Sequence, residues 1–310
     1  MAEPRDARGR RAAESRARRA LRADAATRAL ADAPFVRIAG GLSNHAWRVG
    51  RGVDACFVRL GRAERLPGAD LGNECRVLEA TARAGLSPRV VRCDPGRRLL
   101  VTRWVAGSAH RRPPLPAAAV AAVGRALAAL HRLRVPAGVR VLDFATQARE
   151  LEALVGAQGP ASLQSQAGAA FSRLHATARE TVLCHNDLNA LNLLWDREGR
   201  LWLVDWEYAG RGDAALDLAS FASQHGLESR ARAGLLHAYR AAGGTVDAGR
   251  LALARWAFDY VQWLWYRAAL VRPGAGIAAR VARARSGTLE TALRRRASRV
   301  LRCNNATFGD

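Results

Sequence analysis

The chain has 310 residues, 49% of them apolar, which is enough to build one large domain or two lobes around real cores. Its formal net charge of +22 rests on 49 basic residues that are all arginines, since the sequence contains no lysine. No apolar run approaches the roughly 20 residues of a membrane span. The opening stretch MAEPRDARGRR lacks the apolar segment of a secretory signal, and Cys56, Cys75, Cys93, Cys184 and Cys303 form no CxxC pair, so reduced thiols in a cytoplasmic protein are expected rather than a disulfide or zinc framework.

Residues 1–33 are rich in Arg and Ala, with nine arginines against four acids in residues 1–30, and show no regular apolar stripe. They are expected as a helical or disordered arm. Residues 280–302 hold eight arginines against one acid. Such blocks attract polyanions but as readily make solvated helix faces, and no specific nucleic-acid partner is expected.

After the arm, Phe35 to Ile38 reads as a strand, followed by Gly40-Gly41-Leu42-Ser43-Asn44 and a second strand, Ala46 to Val49. Two glycines let the backbone approach a phosphate, and Ser43 and Asn44 can hydrogen-bond there; taken alone, Gly-Gly between strands is an ordinary hairpin turn. Cys56 to Leu60 reads as a third strand and Leu71 to Ala84 as an amphipathic helix. Val90 to Cys93 and Leu99 to Val105 make a hairpin around Asp94-Pro95-Gly96. Beyond the prolines at 113, 114 and 116 the pattern turns helical, over 117–133, 143–154 and 166–179. Asp213 opens a further helix as its N-cap, and Asp217 in that helix is placed to brace a neighbouring loop. Between Arg255 and Tyr266, Trp256, Tyr260 and Trp263 share one helical stripe, and periodicity alone reads this as core. An Arg-rich helix, 277–302, closes the pattern.

The chemistry concentrates in VLCHNDLNALNLLWDREGRLWLVDWEYAG, from Val182 to Gly210. Here His185, Asp187 and Asn192 fall in the order His-x-Asp-x-x-x-x-Asn, and Asp205 follows an apolar run that answers LNLLW across the turn Asp196-Arg197-Glu198-Gly199. Paired as a hairpin, the two runs put Asn192 at the start of one strand and Asp205 at the end of the other, side by side at the open end. Phosphoryl transfer needs a carboxylate to position and deprotonate a hydroxyl, and hard oxygen ligands for Mg2+. Asp187 suits the first task, with His185 buttressing the catalytic loop, and Asn192 with Asp205 suits the second.

HNDLNALN followed by VDWEYAG resembles the signature of the choline/ethanolamine kinase family, in the kinase-like superfamily that also holds aminoglycoside phosphotransferases and bacterial thiamine kinase. The resemblance spans about residues 38–266 and implies an α+β, two-lobe, protein-kinase-like fold. The N-lobe, 34–104, would be an antiparallel sheet with one helix; the C-lobe, 105–310, would be mostly helical and carry the catalytic hairpin. It further implies ATP and Mg2+. Gly40, Gly41, Ser43 and Asn44 would then cover the phosphates, Arg59 would bind them as the third-strand cation paired with Glu74, and the backbone of Arg103, Trp104 and Val105 would hold adenine at the hinge. Glu207, Tyr260 and Trp263 would contact the acceptor, the two rings as an aromatic wall for a cation. The implied acceptor is a small cationic alcohol such as choline or ethanolamine. Thiamine or an aminoglycoside is the alternative acceptor, and an inactive kinase-like or RNA-binding protein the alternative outside the enzymes.

Overall fold

The computed structural model describes residues 3–38, 44–61, 70–109, 114–156, 161–177, 181–271 and 279–302. The chain divides into two compact units: unit 1 is residues 1–108 and 194–208, unit 2 residues 109–193 and 209–310. The hairpin 194–208, expected with the C-lobe, thus belongs to unit 1.

Unit 1 is built on an antiparallel sheet in the order β1 (Phe35–Arg37), β2 (Asn44–Val49), β3 (Cys56–Gly61), β5 (Leu99–Arg103), β4 (Val90–Asp94). Side chains alternate along a strand. In β3 this sends Cys56, Val58 and Leu60 into a core with Trp47, Val49, Leu99 and Val101, and leaves Arg59 for the opposite face. The core face is closed by α1 (Glu3–Arg22), through Ala13, Ala17 and Leu21, together with Ala31. Residues 1–33 were expected as a helical or disordered arm without an apolar stripe; residues 3–22 form a helix, and it packs on this core. These three residues recur every fourth position, and alanine, common throughout the chain, hid the stripe. Arg18 fastens the chain that follows, donating to the Ala31 carbonyl at 2.5 Å and stacking over Phe35 at 4.1 Å.

Helix α2 (Leu71–Arg83) starts where Asp70 accepts hydrogen bonds from the Gly72 and Asn73 N–H groups, at 2.9 and 3.3 Å. A cap of this kind contributes about 1 kcal/mol. Val77 and Leu78 bury its inner side. Cys75 of α2 and Cys93 of β4 form a disulfide, which corrects the expectation of reduced thiols. Their 18-residue separation says nothing by itself; the packing of α2 on β4 brings them together. Cys56 and Cys184 are buried free thiols, and Cys303 lies outside the described residues.

A second sheet of unit 1 joins β6 (Gly107–Ser108), β8 (Leu193–Asp196) and β9 (Leu201–Leu203). Asp196 shapes the expected turn between β8 and β9, its Oδ1 accepting from Arg200 N at 2.8 Å and its Oδ2 from Trp202 Nε1 at 2.7 Å. Asn192 and Asp205 fall just outside these strands rather than within them.

Unit 2 is mostly helical. It contains α3 (Ala117–His131), α4 (Phe144–Val155), α5 (Ala161–Ala176), α6 (Ala214–Gln224), α7 (Ser229–Ala241), α8 (Ala248–Val271) and α9 (Ala279–Arg302). A ribbon of β7 (Val182–Cys184) and β10 (Gly210–Gly212) completes it among the described residues. Helix α8 is the hub, packing against α4, α5, α6 and α9. Gly124 lets α3 and α7 close on each other, since a Cβ there would stand 2.7 Å from the Leu235 carbonyl oxygen.

Candidate active site

In unit 1 the sheet face opposite the apolar core carries one buried cation, Arg59, held between two acids. Its Nη2 pairs with Glu74 Oε2 on α2, and its Nη1 donates to Asp205 Oδ1 at 2.7 Å. Burial alone would lower the Arg59 pKa, but Glu74 and then Asp205 outweigh it and hold the guanidinium charged. Burial pushes Glu74 up, against the pull of Arg59. Asp205 adopts φ 64°, a left-handed backbone that is uncommon without glycine. Glu207 accepts from Asn44 Nδ2 at 3.2 Å, and burial followed by the charge of Asp205 pushes its carboxyl up to about 7.

Three carboxylates therefore surround one guanidinium, and Asp205 Oδ2 accepts no hydrogen bond among the described residues. An excess of anionic oxygen with a free ligand atom fits a hard cation such as Mg2+. Glu207, expected with the acceptor residues, instead groups with Asn44 and Arg59. Gly40, Gly41 and Ser43 lie outside the described residues.

At the end of β5, Arg103 N donates to Arg89 O and Trp104 N to Ala55 O, each at 2.9 Å, while Arg103 Nη1 reaches Asp54 at 3.1 Å. The N–H groups of Arg103 and Trp104 are thus used up by the protein. The Trp104 carbonyl and the Val105 N–H have no protein partner among the described residues.

In unit 2 the loop after β7 is fixed by Asp217, which is fully buried on α6. One carboxylate oxygen accepts from His185 N at 2.9 Å, the other from Asn186 N at 2.8 Å. Behind it, His131 Nε2 meets Asp217 Oδ2 at 3.1 Å and His131 Nδ1 meets the Tyr239 hydroxyl at 2.9 Å. Burial works to raise the Asp217 pKa, yet the contacts with His131 and the loop bring it below the ordinary value. Asn186 takes φ 66°, turning the chain so that Asp187 follows. His185 is buried, and its Nδ1 accepts from Asp187 N at 3.3 Å. That contact suits the buttress expected of it.

Asp187 is gripped by three side-chain amides. Its Oδ2 accepts from Asn192 at 2.9 Å and from Asn189 at 3.0 Å, and its Oδ1 accepts from Gln224 at 3.2 Å. Asn192 also donates to the Asp187 carbonyl at 2.8 Å, so both its amide hydrogens are spent. Its Oδ1 accepts no hydrogen bond among the described residues and is free to be a hard-oxygen ligand.

Sequence reasoning missed Asn189, Gln224, His131 and Tyr266. Asn189 was within sight in NDLNALN; Gln224, 37 residues from Asp187, left no local signal. Tyr266 is half-buried beside Trp265, ring centroids 5.2 Å apart. Burial raises its phenol pKa, with Arg285 opposing and Asp187 adding to the rise, which sets it in the field of the loop carboxylate.

The aromatic-wall assignment of Tyr260 and Trp263 is corrected by burial. They are 0% and 1% exposed, Tyr260 lies between Trp256 and Trp263 at centroid distances of 5.8 and 5.6 Å, and its hydroxyl donates to Glu152 at 2.7 Å. The stripe is the core of unit 2, and no ring face in it is open to a ligand.

Residues 34–256 match the sequence profile of the phosphotransferase enzyme family. A choline/ethanolamine kinase family protein from Mesorhizobium loti has a similar structure, with a TM-score of 0.75 and 27% identity over 93% of this chain and 97% of that one. Choline kinase LicA from Streptococcus pneumoniae shares the fold at a TM-score of 0.66 and 18% identity, covering 86% of this chain and 93% of that chain. Protein LicA of Haemophilus influenzae is 34% identical over 80 residues, 25% of this chain; the match spans 30% of that protein's length. With a profile match over more than half its length, the chain belongs to the phosphotransferase enzyme family.

Proposed function

We propose that the chain is a kinase that moves the γ-phosphoryl group of ATP to the hydroxyl of a small amino alcohol of the choline or ethanolamine type. The grip of three amides on Asp187 carries this reading, because it leaves a carboxylate oriented and hydrogen-bonded in the form that accepts a proton. Asp187 takes the acceptor's hydroxyl proton while that oxygen bonds to the γ-phosphorus and the bond from that phosphorus to the β-phosphate oxygen breaks, releasing ADP. Arg59, braced by Glu74, holds phosphate oxygens, with a planar fork that a lysine would lack. Asn192 Oδ1 and Asp205 are the proposed Mg2+ ligands; the ion, when bound, neutralises phosphate charge. The unused Trp104 carbonyl and Val105 N–H suit the hydrogen-bonding edge of adenine.

For the acceptor, the half-buried pair Trp265 and Tyr266 offers ring faces to a cation, each worth about 0.5–2 kcal/mol. The names of the similar structures favour choline or ethanolamine. A polycationic aminoglycoside fits less well, because Arg285 lies in reach of Tyr266 and two acids of α8 and α4 are engaged, the buried Asp259 by Arg296 and the half-buried Glu152 by Tyr260. The test is acceptor-dependent ADP release with Mg2+ and choline, ethanolamine, thiamine or a kanamycin-type amine. Highest kcat/KM for choline or ethanolamine is expected; a higher value for the aminoglycoside, or ADP release indifferent to every acceptor, would refute the reading.

A further inference from the structure

Unit 2 gathers three half-buried arginines at a place the proposed reaction does not use. Arg232 lies in the first turn of α7, Arg255 on α8 and Arg296 on α9. Asp259, one helical turn after Arg255, is buried and accepts from Arg296 Nη1 at 2.5 Å. Arg255 Nε donates to Ser223 Oγ at the end of α6 at 3.3 Å, and its two Nη groups have no hydrogen-bond partner among the described residues. Arg232 is anchored locally, by the Leu227 carbonyl at 2.5 Å and Ser229 Oγ at 3.0 Å.

The charges do not balance locally. The acids acting on these arginines are Asp259, already engaged by Arg296, and the exposed Glu228. Burial and then the neighbouring Arg296 depress the pKa of both Arg232 and Arg255, the latter to about 10, so the guanidiniums repel one another where water screens them poorly. Proteins relieve such an arrangement with an oxyanion, for which planar guanidinium forks are the matching donors.

We propose that Arg232, Arg255 and Arg296, together with Ser223, form a binding site for a tetrahedral oxyanion of the phosphate class, either inorganic phosphate or the phosphate end of a small monoester. The free Nη groups of Arg255 are its main donors. None of these four residues is among those assigned above to nucleotide, metal or proton transfer.

The experiment measures the thermal midpoint of the full chain and its calorimetric affinity for inorganic phosphate and for glycerol phosphate. Chloride at equal ionic strength is the reference, and Arg255→Gln, Arg232→Gln and the exposed Arg294→Gln are compared with the parent. Phosphate at about ten times its Kd is expected to raise the parent's midpoint by roughly 2–5 °C over chloride. The Arg255→Gln and Arg232→Gln proteins should bind at least about 10-fold more weakly, and Arg294→Gln should respond as the parent does. Without phosphate, Arg255→Gln should melt at or above the parent, because it removes a repelled charge. A stronger response to glycerol phosphate than to phosphate identifies a monoester site, and the reverse a site for the free ion. No rise over chloride, an undiminished rise in Arg255→Gln, or a lower phosphate-free midpoint for Arg255→Gln would each overturn the proposal. Should Arg255→Gln fail to fold, Arg232→Gln decides by the same affinity criterion.

Discussion

Asn192 donates twice to Asp187, once to its carbonyl oxygen at 2.8 Å and once to its Oδ2 at 2.9 Å. The two residues thereby fix each other: the carboxylate gains an orientation, and the amide is left with only its oxygen facing outward. Asp187→Asn keeps the shape but removes the proton acceptor. Turnover should fall by at least about 100-fold, the scale of a positioned acid or base, while nucleotide binding measured by calorimetry stays within a few-fold of the parent. Equal loss of both would mean that Asp187 holds the fold rather than a proton.

Arg59 is a buried guanidinium shared by Glu74 and Asp205. Arg59→Met leaves Glu74 buried and unpaired, a loss of about 3–5 kcal/mol by denaturant unfolding. Arg59→Lys keeps the charge but has a single nitrogen to divide among Glu74, Asp205 and a phosphate. It should fold, with ATP affinity reduced about 10-fold. An Arg59→Lys protein with unchanged ATP affinity would remove Arg59 from the proposed nucleotide contacts.

Glu207 has a carboxyl raised by burial to about 7, above the ordinary 4.5. A raised carboxyl pKa means that the folded chain holds its proton more tightly than the unfolded chain. Its contribution to stability is therefore full below pH 4.5 and is lost as the pH rises through about 7. Melting points recorded across this window should show the decline in the parent and not in Glu207→Gln. Adding Mg2+ above neutral pH should recover part of the loss if Asp205 and its neighbours take up the ion, and the same decline in Glu207→Gln would assign it to another group.

The Cys75–Cys93 disulfide ties α2 to β4 immediately beside Glu74. Closing a loop of this length restricts the unfolded chain by roughly 3 kcal/mol. Reduction, or the double change Cys75→Ser and Cys93→Ser, should lower the stability of the full chain by about that amount in denaturant. Mass spectrometry under non-reducing conditions should find the linked peptide, and two free thiols at these positions would contradict the cross-link.

Where the sequence carried a short-range signal, the structure agrees with it. Asp213 caps α6 through Ala215 N at 2.9 Å, and Asp217 reaches the loop of His185 and Asn186, both readable from one run of eight residues. The pairing of Arg59 on β3 with Glu74 on α2 is implied by the family resemblance rather than by the local pattern, and the two side chains do meet. What could not be read depends on packing between distant segments. Periodicity alone reads Trp256, Tyr260 and Trp263 as a core stripe of α8, as their burial shows; the family resemblance, not the pattern, points to a ligand wall. Gln224 and Tyr266 reach the neighbourhood of Asp187 only because the helices that carry them, α6 and α8, pack together.

That ambiguity about α8 can be tested by contrasting two aromatic residues three positions apart. Trp263 is buried in the core, so Trp263→Ala should cost about 3–5 kcal/mol of stability through the cavity it leaves. Tyr266 is half-buried and lies in the field of Asp187. Tyr266→Ala should leave stability nearly intact and raise the KM of the acceptor by about 10-fold, the loss of roughly 1.4 kcal/mol expected when a ring no longer faces a cation. Tyr266→Phe should restore most of that affinity, since the ring rather than the hydroxyl attracts the charge. If Tyr266→Ala leaves acceptor KM unchanged while a folded Trp263→Ala protein raises it, the acceptor is recognised through the core stripe after all, and the role given to Tyr266 must be withdrawn.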